Sequence, residues 1–129
     1  MNADPIEPKR LTLPAELRLR RKSQFEAAYA SGRRLGDGYF SVTMSPNEVG
    51  RPRIGLAVAV KIAGNSVKRN RIRRLIRESF RLSQLEIPPV DLIVSARARA
   101  KDASSDELRA SLAALWDKVR KQCASSPKY

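Results

Sequence analysis

The segment Lys68-Arg69-Asn70-Arg71-Ile72-Arg73-Arg74-Leu75-Ile76-Arg77-Glu78-Ser79-Phe80-Arg81 concentrates the chemistry of this chain, with seven basic residues and one acid in fourteen positions. Like charges recur at i,i+4 in Arg69/Arg73, Arg73/Arg77 and Arg77/Arg81, and each such pair costs about 0.2–0.5 kcal/mol on an exposed helix. Only Glu78, four residues after Arg74, offers local relief. A polyanion lying along the segment is the simplest compensation. Six of the seven cations are arginines, which suit bidentate phosphate contacts and stacking on bases better than lysine does.

The remaining inventory excludes most catalytic chemistry. The 129 residues hold 26 Lys and Arg against 13 Asp and Glu, a net charge of +13, with no histidine and one cysteine, Cys123. Cys/His zinc sites, Ser-His-Asp triads and Cys-His dyads cannot be built from such a set. The acids are scattered, with no obvious pair for metal work. A lone thiol forms no internal disulfide, which fits a reducing compartment, and no run approaches the roughly 18 apolar residues of a membrane span. These features predict a soluble cytoplasmic protein with a polyanionic partner and no membrane association. The 42 % hydrophobic content suffices for one core, because a chain of this size buries about two-thirds of its unfolded surface.

The elements that must position the basic segment follow from periodicity. Residues 1–14 carry Pro5, Pro8 and Pro14 and read as a flexible leader, 15–122 as a single domain, which the resemblance described below makes RNA-binding, and 123–129 as a tail. A first helix is expected where Ser23 and Glu26 match a capping box, with Phe25, Ala28 and Tyr29 on one face and Gly32 as a left-handed stop. Residues 39–45 alternate and predict a half-buried strand. Residues 53–61 alternate too, with Ile54, Leu56, Val58 and Val60 facing inward and Gly55, Ala57, Ala59 and Lys61 leaving room against the backbone. Asn65 or Ser66 can cap a helix running to about residue 82. Its apolar face is Ile72, Leu75, Ile76, Ser79 and Phe80, and Asn70, Arg73, Arg74, Arg77 and Arg81 lie opposite. Residues 90–96, nearly all apolar, read as a strand covered on both sides. A last helix begins at Ser104 or Ser105, where Ser104 and Glu107 match a capping box, and buries Leu108, Leu112, Leu115, Trp116 and Val119. Helix and strand periods alternating in one short chain predict an α+β layer structure.

The strand Arg53-Ile-Gly-Leu-Ala-Val-Ala-Val-Lys61, a short turn and then Arg69-Asn70-Arg71-Ile72-Arg73-Arg74-Leu75-Ile76-Arg77-Glu78 resemble the bacterial ribonuclease P protein family, whose signature is an R-x-G-x-x-V strand followed by an "RNR" helix. The likeness runs from about Leu17 to Lys121. The family usually has two lysines after the second strand where this chain has Val60-Lys61, one cation fewer. The resemblance implies a small, mostly antiparallel four-stranded sheet flanked by three helices, with a left-handed βαβ crossover into the RNR helix. Crossovers are ordinarily right-handed, so periodicity alone would favour the other hand.

It also implies an accessory subunit of an endonuclease whose catalyst is RNA. Such an enzyme removes the 5′ leader from precursor tRNA, with Mg²⁺ held by RNA phosphates and no cofactor on the protein. The partners would be the catalytic RNA and the precursor with its leader, with no protein partner implied. Two surfaces are then expected. Lys68, Arg69, Asn70, Arg71, Arg73, Arg74, Arg77 and Arg81 would grip the catalytic RNA. Phe25, Tyr29, Arg53, Ala57, Ala59, Lys61 and Arg97 would receive the single-stranded leader, with an aromatic of some members replaced near Thr43. By spacing alone, a Phe/Tyr pair at i,i+4 reads more readily as core packing. The different-class alternative is a structural, ribosomal-type RNA-binding protein with no role in cleavage.

Overall fold

The computed structural model describes residues 17–125, and side chains as far as Cys123. The expected leader at 1–14 lies outside these residues. Four strands, β1 (Arg33–Gly36), β2 (Phe40–Pro46), β3 (Arg53–Ala57) and β4 (Val90–Ala96), form one sheet in the order β1-β2-β4-β3. The β1/β2 and β2/β4 pairs are antiparallel and β3/β4 is parallel, so the sheet is mixed and mostly antiparallel. The helices are α1 (Lys22–Ser31), a single turn α2 (Val60–Ala63), α3 (Ser66–Ser83) and α4 (Ser105–Ser125), with a 3-10 turn at Ala98–Asp102. Parallel neighbours cannot be joined by a hairpin, and here α2 and α3 form the crossover between β3 and β4.

Strand alternation assigns the two faces of the sheet. Phe40, Val42 and Met44 of β2, Ile54 of β3 and Leu92 and Val94 of β4 pack against Ile72, Leu75, Ile76 and Phe80 of α3 and the apolar stripe of α4. On the other face, Ile93 lies under Leu19 and Ala28, with Phe25 and Ala57 beside them. The result is a thick two-helix layer on one side and the thin α1 layer on the other.

The long helices start as their sequences dictate. The Asn65 side chain accepts from the Lys68 amide at 2.8 Å. Ser104 and Glu107 cap each other, the Glu107 amide donating to Ser104 Oγ at 3.1 Å and the Ser104 amide to Glu107 Oε1 at 2.8 Å. The roll of α3 is fixed at its far end, where Phe80 meets Trp116 edge-on at 6.0 Å and Trp116 Nε1 donates to Ser79 Oγ at 2.7 Å.

Four local expectations are corrected. The α1 start lies earlier than Ser23, because Gln24 Oε1 accepts from the Arg20 and Arg21 amides, both at 3.0 Å. Gly32 is extended, at φ −86°; a Cβ there would meet Ala28 O at 2.5 Å and Thr43 Cγ2 at 2.6 Å, so close approach, not handedness, requires glycine. The strand expected over 53–61 stops at Ala57, since the chain must turn to begin the crossover, and this leaves Ala59 and Lys61 beyond the strand and Val60 43 % exposed. The sequence reading also passed over β1, four residues of which two are arginines. At the other end, α4 continues to Ser125, into the first residues of the expected tail.

Candidate nucleic-acid interface

The roll of α3 divides its cations into three groups. Arg69 and Arg71 turn back onto the protein. Arg69 Nε donates to Val58 O at 2.7 Å, pinning the turn that ends β3. Arg71 donates from Nη1 to Ser105 Oγ at 3.2 Å and from Nη2 to Ala103 O at 3.1 Å, tying α3 to the start of α4. Both guanidinium contacts of Arg71 are therefore made inside the fold, whereas the resemblance implies a contact with the catalytic RNA.

In the second group Arg74, with the neutral Asn70 beside it, is exposed on the outer face. Near them Lys68 lies 3.5 Å from Asp102 and Arg81 lies 2.7 Å from Glu78. Glu78 thus relieves Arg81 and not Arg74, the partner expected from i,i+4 spacing. Exposed pairs of this kind contribute little, about 0–1 kcal/mol.

The third group faces inward across the sheet edge. Arg73 and Arg77 line a pocket of about 240 Å³ with Arg18, Leu19, Arg20, Phe25, Ile54 and Leu56. Among the described residues, four arginines line it and no acid does. Burial lowers the Arg73 pKa, and the neighbouring Arg77 and Arg69 lower it further. Among the described residues, Arg18 Nε, buried there, has no hydrogen-bond partner. Sequence reasoning overlooked Arg18 and Arg20. Their signal was the basic run Arg18-Leu19-Arg20-Arg21-Lys22 just before the first helix.

The residues expected to receive a single strand are only partly brought together. Phe25 is half-buried and Tyr29 is 48 % exposed, their ring centroids 6.5 Å apart. Phe25 sits on Gly55, where a Cβ would come 2.7 Å from its Cζ, so the space left by that glycine is filled by the protein's own ring. Ala57 packs beside Phe25 in the α1 layer, and Ala59 and Lys61 are exposed at the turn after β3. Thr43 is buried beneath Gly32.

Arg53 is committed elsewhere. It forms a two-pronged ion pair with Asp91, Nε to Oδ1 and Nη2 to Oδ2, both at 2.8 Å, and this hydrogen bonding raises its pKa. Arg97 stands at the far side of the sheet face, grouped with Arg34, Gly36, Asp37 and Ser41. The arrangement therefore brings Phe25, Arg73 and Arg77 into one pocket and leaves Arg97 near the opposite sheet edge. Among the described residues, no group of three His, Cys, Asp or Glu could hold a metal ion, and no helix is long and apolar enough to cross a membrane.

A family model described as Ribonuclease P matches residues 13–120. The Ribonuclease P protein component of Cronobacter sakazakii is 40 % identical over 114 residues, covering 88 % of this chain and 93 % of that protein. Among solved structures, the RNase P protein of Staphylococcus aureus superposes with a TM-score of 0.73 at 33 % identity, covering 83 % of this chain and 94 % of the other. That of Thermotoga maritima gives 0.70 at 27 % identity, over 81 % and 96 %.

Proposed function

The chain belongs to the ribonuclease P family, and from that premise we propose how its surfaces serve the particle. It is the protein subunit of a ribonucleoprotein endoribonuclease, a hydrolase of tRNA processing, and its partner is the ribonuclease P RNA. The relatives do not favour the ribosomal-type alternative.

In the mechanism we propose, the RNA supplies the catalysis, with Mg²⁺ on RNA phosphates, and the protein positions two RNA strands in the cytoplasm. The outer face of α3, with Asn70, Arg74, Lys68 and Arg81, lies on the catalytic RNA. The leader of precursor tRNA enters between α1 and the sheet. There Tyr29 and the accessible part of Phe25 offer rings to its bases, at about 1–3 kcal/mol per stacked base, and Lys61 meets a phosphate. Arg73 and Arg77 stand between the two strands and can engage either. The observation that carries this reading is the pocket of four arginines around Phe25, with no acid among the described residues lining it, which joins the cationic helix to the aromatic one.

The test is reconstitution with ribonuclease P RNA. The protein should lower the Mg²⁺ needed to release the 5′ leader, and its RNA affinity should fall with salt at a log–log slope of roughly −4 to −5 for five or six phosphate contacts. An Arg74→Ala, Arg77→Ala protein that folds yet keeps the full affinity and slope would overturn the α3 assignment. Leader-bearing precursor should bind the holoenzyme more tightly than mature tRNA, by a margin that Tyr29→Ala reduces.

A further inference from the structure

The proposed leader cleft does not end at α1. One row of residues crosses the whole sheet on that face: Ala57 opposite Ser95, Ser95 opposite Ser41, and Ser41 opposite Gly36. All four are half-buried and small, so the row forms a shallow floor from the Phe25 side at β3 to β1. Three strand spacings separate its ends, about 14 Å.

At the β1 end the floor meets a second concentration of positive charge. Two depressions share Arg34, Leu35 and Gly36. One lies on the floor with Ser41 and Arg97, and the other passes over the sheet edge onto α4 at Lys118 and Lys121. Among the described residues, four cations thus border this saddle, against one carboxylate, Asp37. That carboxylate is largely spoken for, since it accepts from the Tyr39 and Phe40 amides, both at 2.9 Å, and from Ser111 Oγ. Arg34 and Lys118 are exposed, and Lys118 Nζ reaches back over the edge to Gly36 O at 3.2 Å. No further strand covers the outer side of β1 among the described residues.

We propose that the upstream part of the precursor leader runs along this row and crosses the β1 edge, where Arg34 and Lys118 contact its phosphates. The proposal rests on the leader reading above and extends it to a second contact a few nucleotides further from the cleavage site. Continuity of the floor with the Phe25 cleft favours the leader over the catalytic RNA as occupant: the floor lies on the α1 side of the sheet, and Lys118, although it belongs to α4 on the opposite side, reaches over the edge to Gly36 O at its β1 end.

The experiment uses the reconstituted holoenzyme and precursors whose leaders grow one nucleotide at a time. For the unaltered protein, affinity should rise over mature tRNA with the first nucleotides and rise again once the leader reaches β1. Arg34→Ala combined with Lys118→Ala should keep the first rise and lose the second, about threefold to tenfold, with the salt slope of long-leader binding less steep by about 1.4 for two single-strand phosphate contacts. Arg34→Gln with Lys118→Gln, which keeps polar side chains in place, should do the same and guards against a folding defect. A first rise with no second, or a second rise that survives both variants, overturns the β1 contact alone. Loss of affinity for the catalytic RNA, or for all precursors equally, assigns the saddle to that RNA and overturns the proposal. Absence of any leader effect overturns the cleft reading and this one with it.

Discussion

The helices α3 and α4 pack side by side on the same face of the sheet and bury comparable apolar stripes, yet they handle charge in opposite ways. In α4, Arg109 pairs with Asp106, and Arg120 pairs with Asp117 and Glu86, so most of its charge is balanced locally. In α3 seven cations share one acid, and two of them, Arg69 and Arg71, find backbone or hydroxyl partners in the fold. Charge density alone therefore does not mark a ligand surface. What marks it is density left over after the protein's own acceptors are satisfied, which in α3 means the outer face and the pocket flank.

That contrast can be broken most forcefully at the shared core. Trp116→Ala should cost about 3–5 kcal/mol of stability, as large-to-small aromatic core changes do, and should loosen both helices together. Denaturant unfolding would show this, and a loss confined to α4 would mean that α3 holds its roll without it.

Asp37, which joins the β1–β2 turn to α4, probes the balanced side. Asp37→Asn should cost about 1.5–3 kcal/mol near neutral pH, the range for hydrogen bonds to a charged group. Burial pushes the Asp37 carboxyl up, but the Ser111 hydroxyl, the Phe40 and Tyr39 amides and the Lys118 charge together hold it below its ordinary 3.8. A depressed carboxylate stabilises the fold above its unfolded pKa, and that stabilisation fades as pH falls through the folded value. The gap between the native protein and the asparagine variant should thus be full near neutrality, begin to close below about pH 4 and continue closing as the acid range deepens. A pH-independent gap would show that shape, not charge, sets it.

The sharpest comparison lies within α3. Arg71→Ala should cost about 1–3 kcal/mol of stability by leaving Ala103 O and Ser105 Oγ without their donor, with little change in the salt slope of RNA binding. Arg74→Ala should do the reverse, changing stability by no more than about 0.5 kcal/mol while making that slope less steep by about 0.9. If the two variants behave alike, the division of the helix by partner is wrong.

Much of this was legible in the sequence because it is periodic. The apolar faces of α3 and α4, the Asn65 cap and the Ser104/Glu107 box are local patterns, and the structure realises each of them. What escaped was decided by tertiary partners. β1 exists because Arg33–Gly36 can pair with β2, and its own composition of two arginines, a leucine and a glycine signals no strand. The apparent strand to Lys61 kept its alternation through a turn that the Arg69 contact with Val58 O holds. Arg53 read as a cleft cation because Asp91, its partner, is 38 residues away in the chain. Of the candidate site, the aromatic and cationic helices were legible. Their meeting at Phe25, Arg73 and Arg77 was not, because it depends on the roll of one helix against the entry path of another.

The tethers of Arg69 and Arg71 lie in the first two turns of α3, and the Trp116 contact with Ser79 lies near its end. An association that must freeze a helix and its long side chains loses conformational entropy, about 0.5–1.5 kcal/mol for each side chain immobilised. Here the axis and rotation of α3 are set on folding at both ends. The ordering left for RNA to impose is that of the outer arginine tips, so more of each phosphate contact appears as affinity.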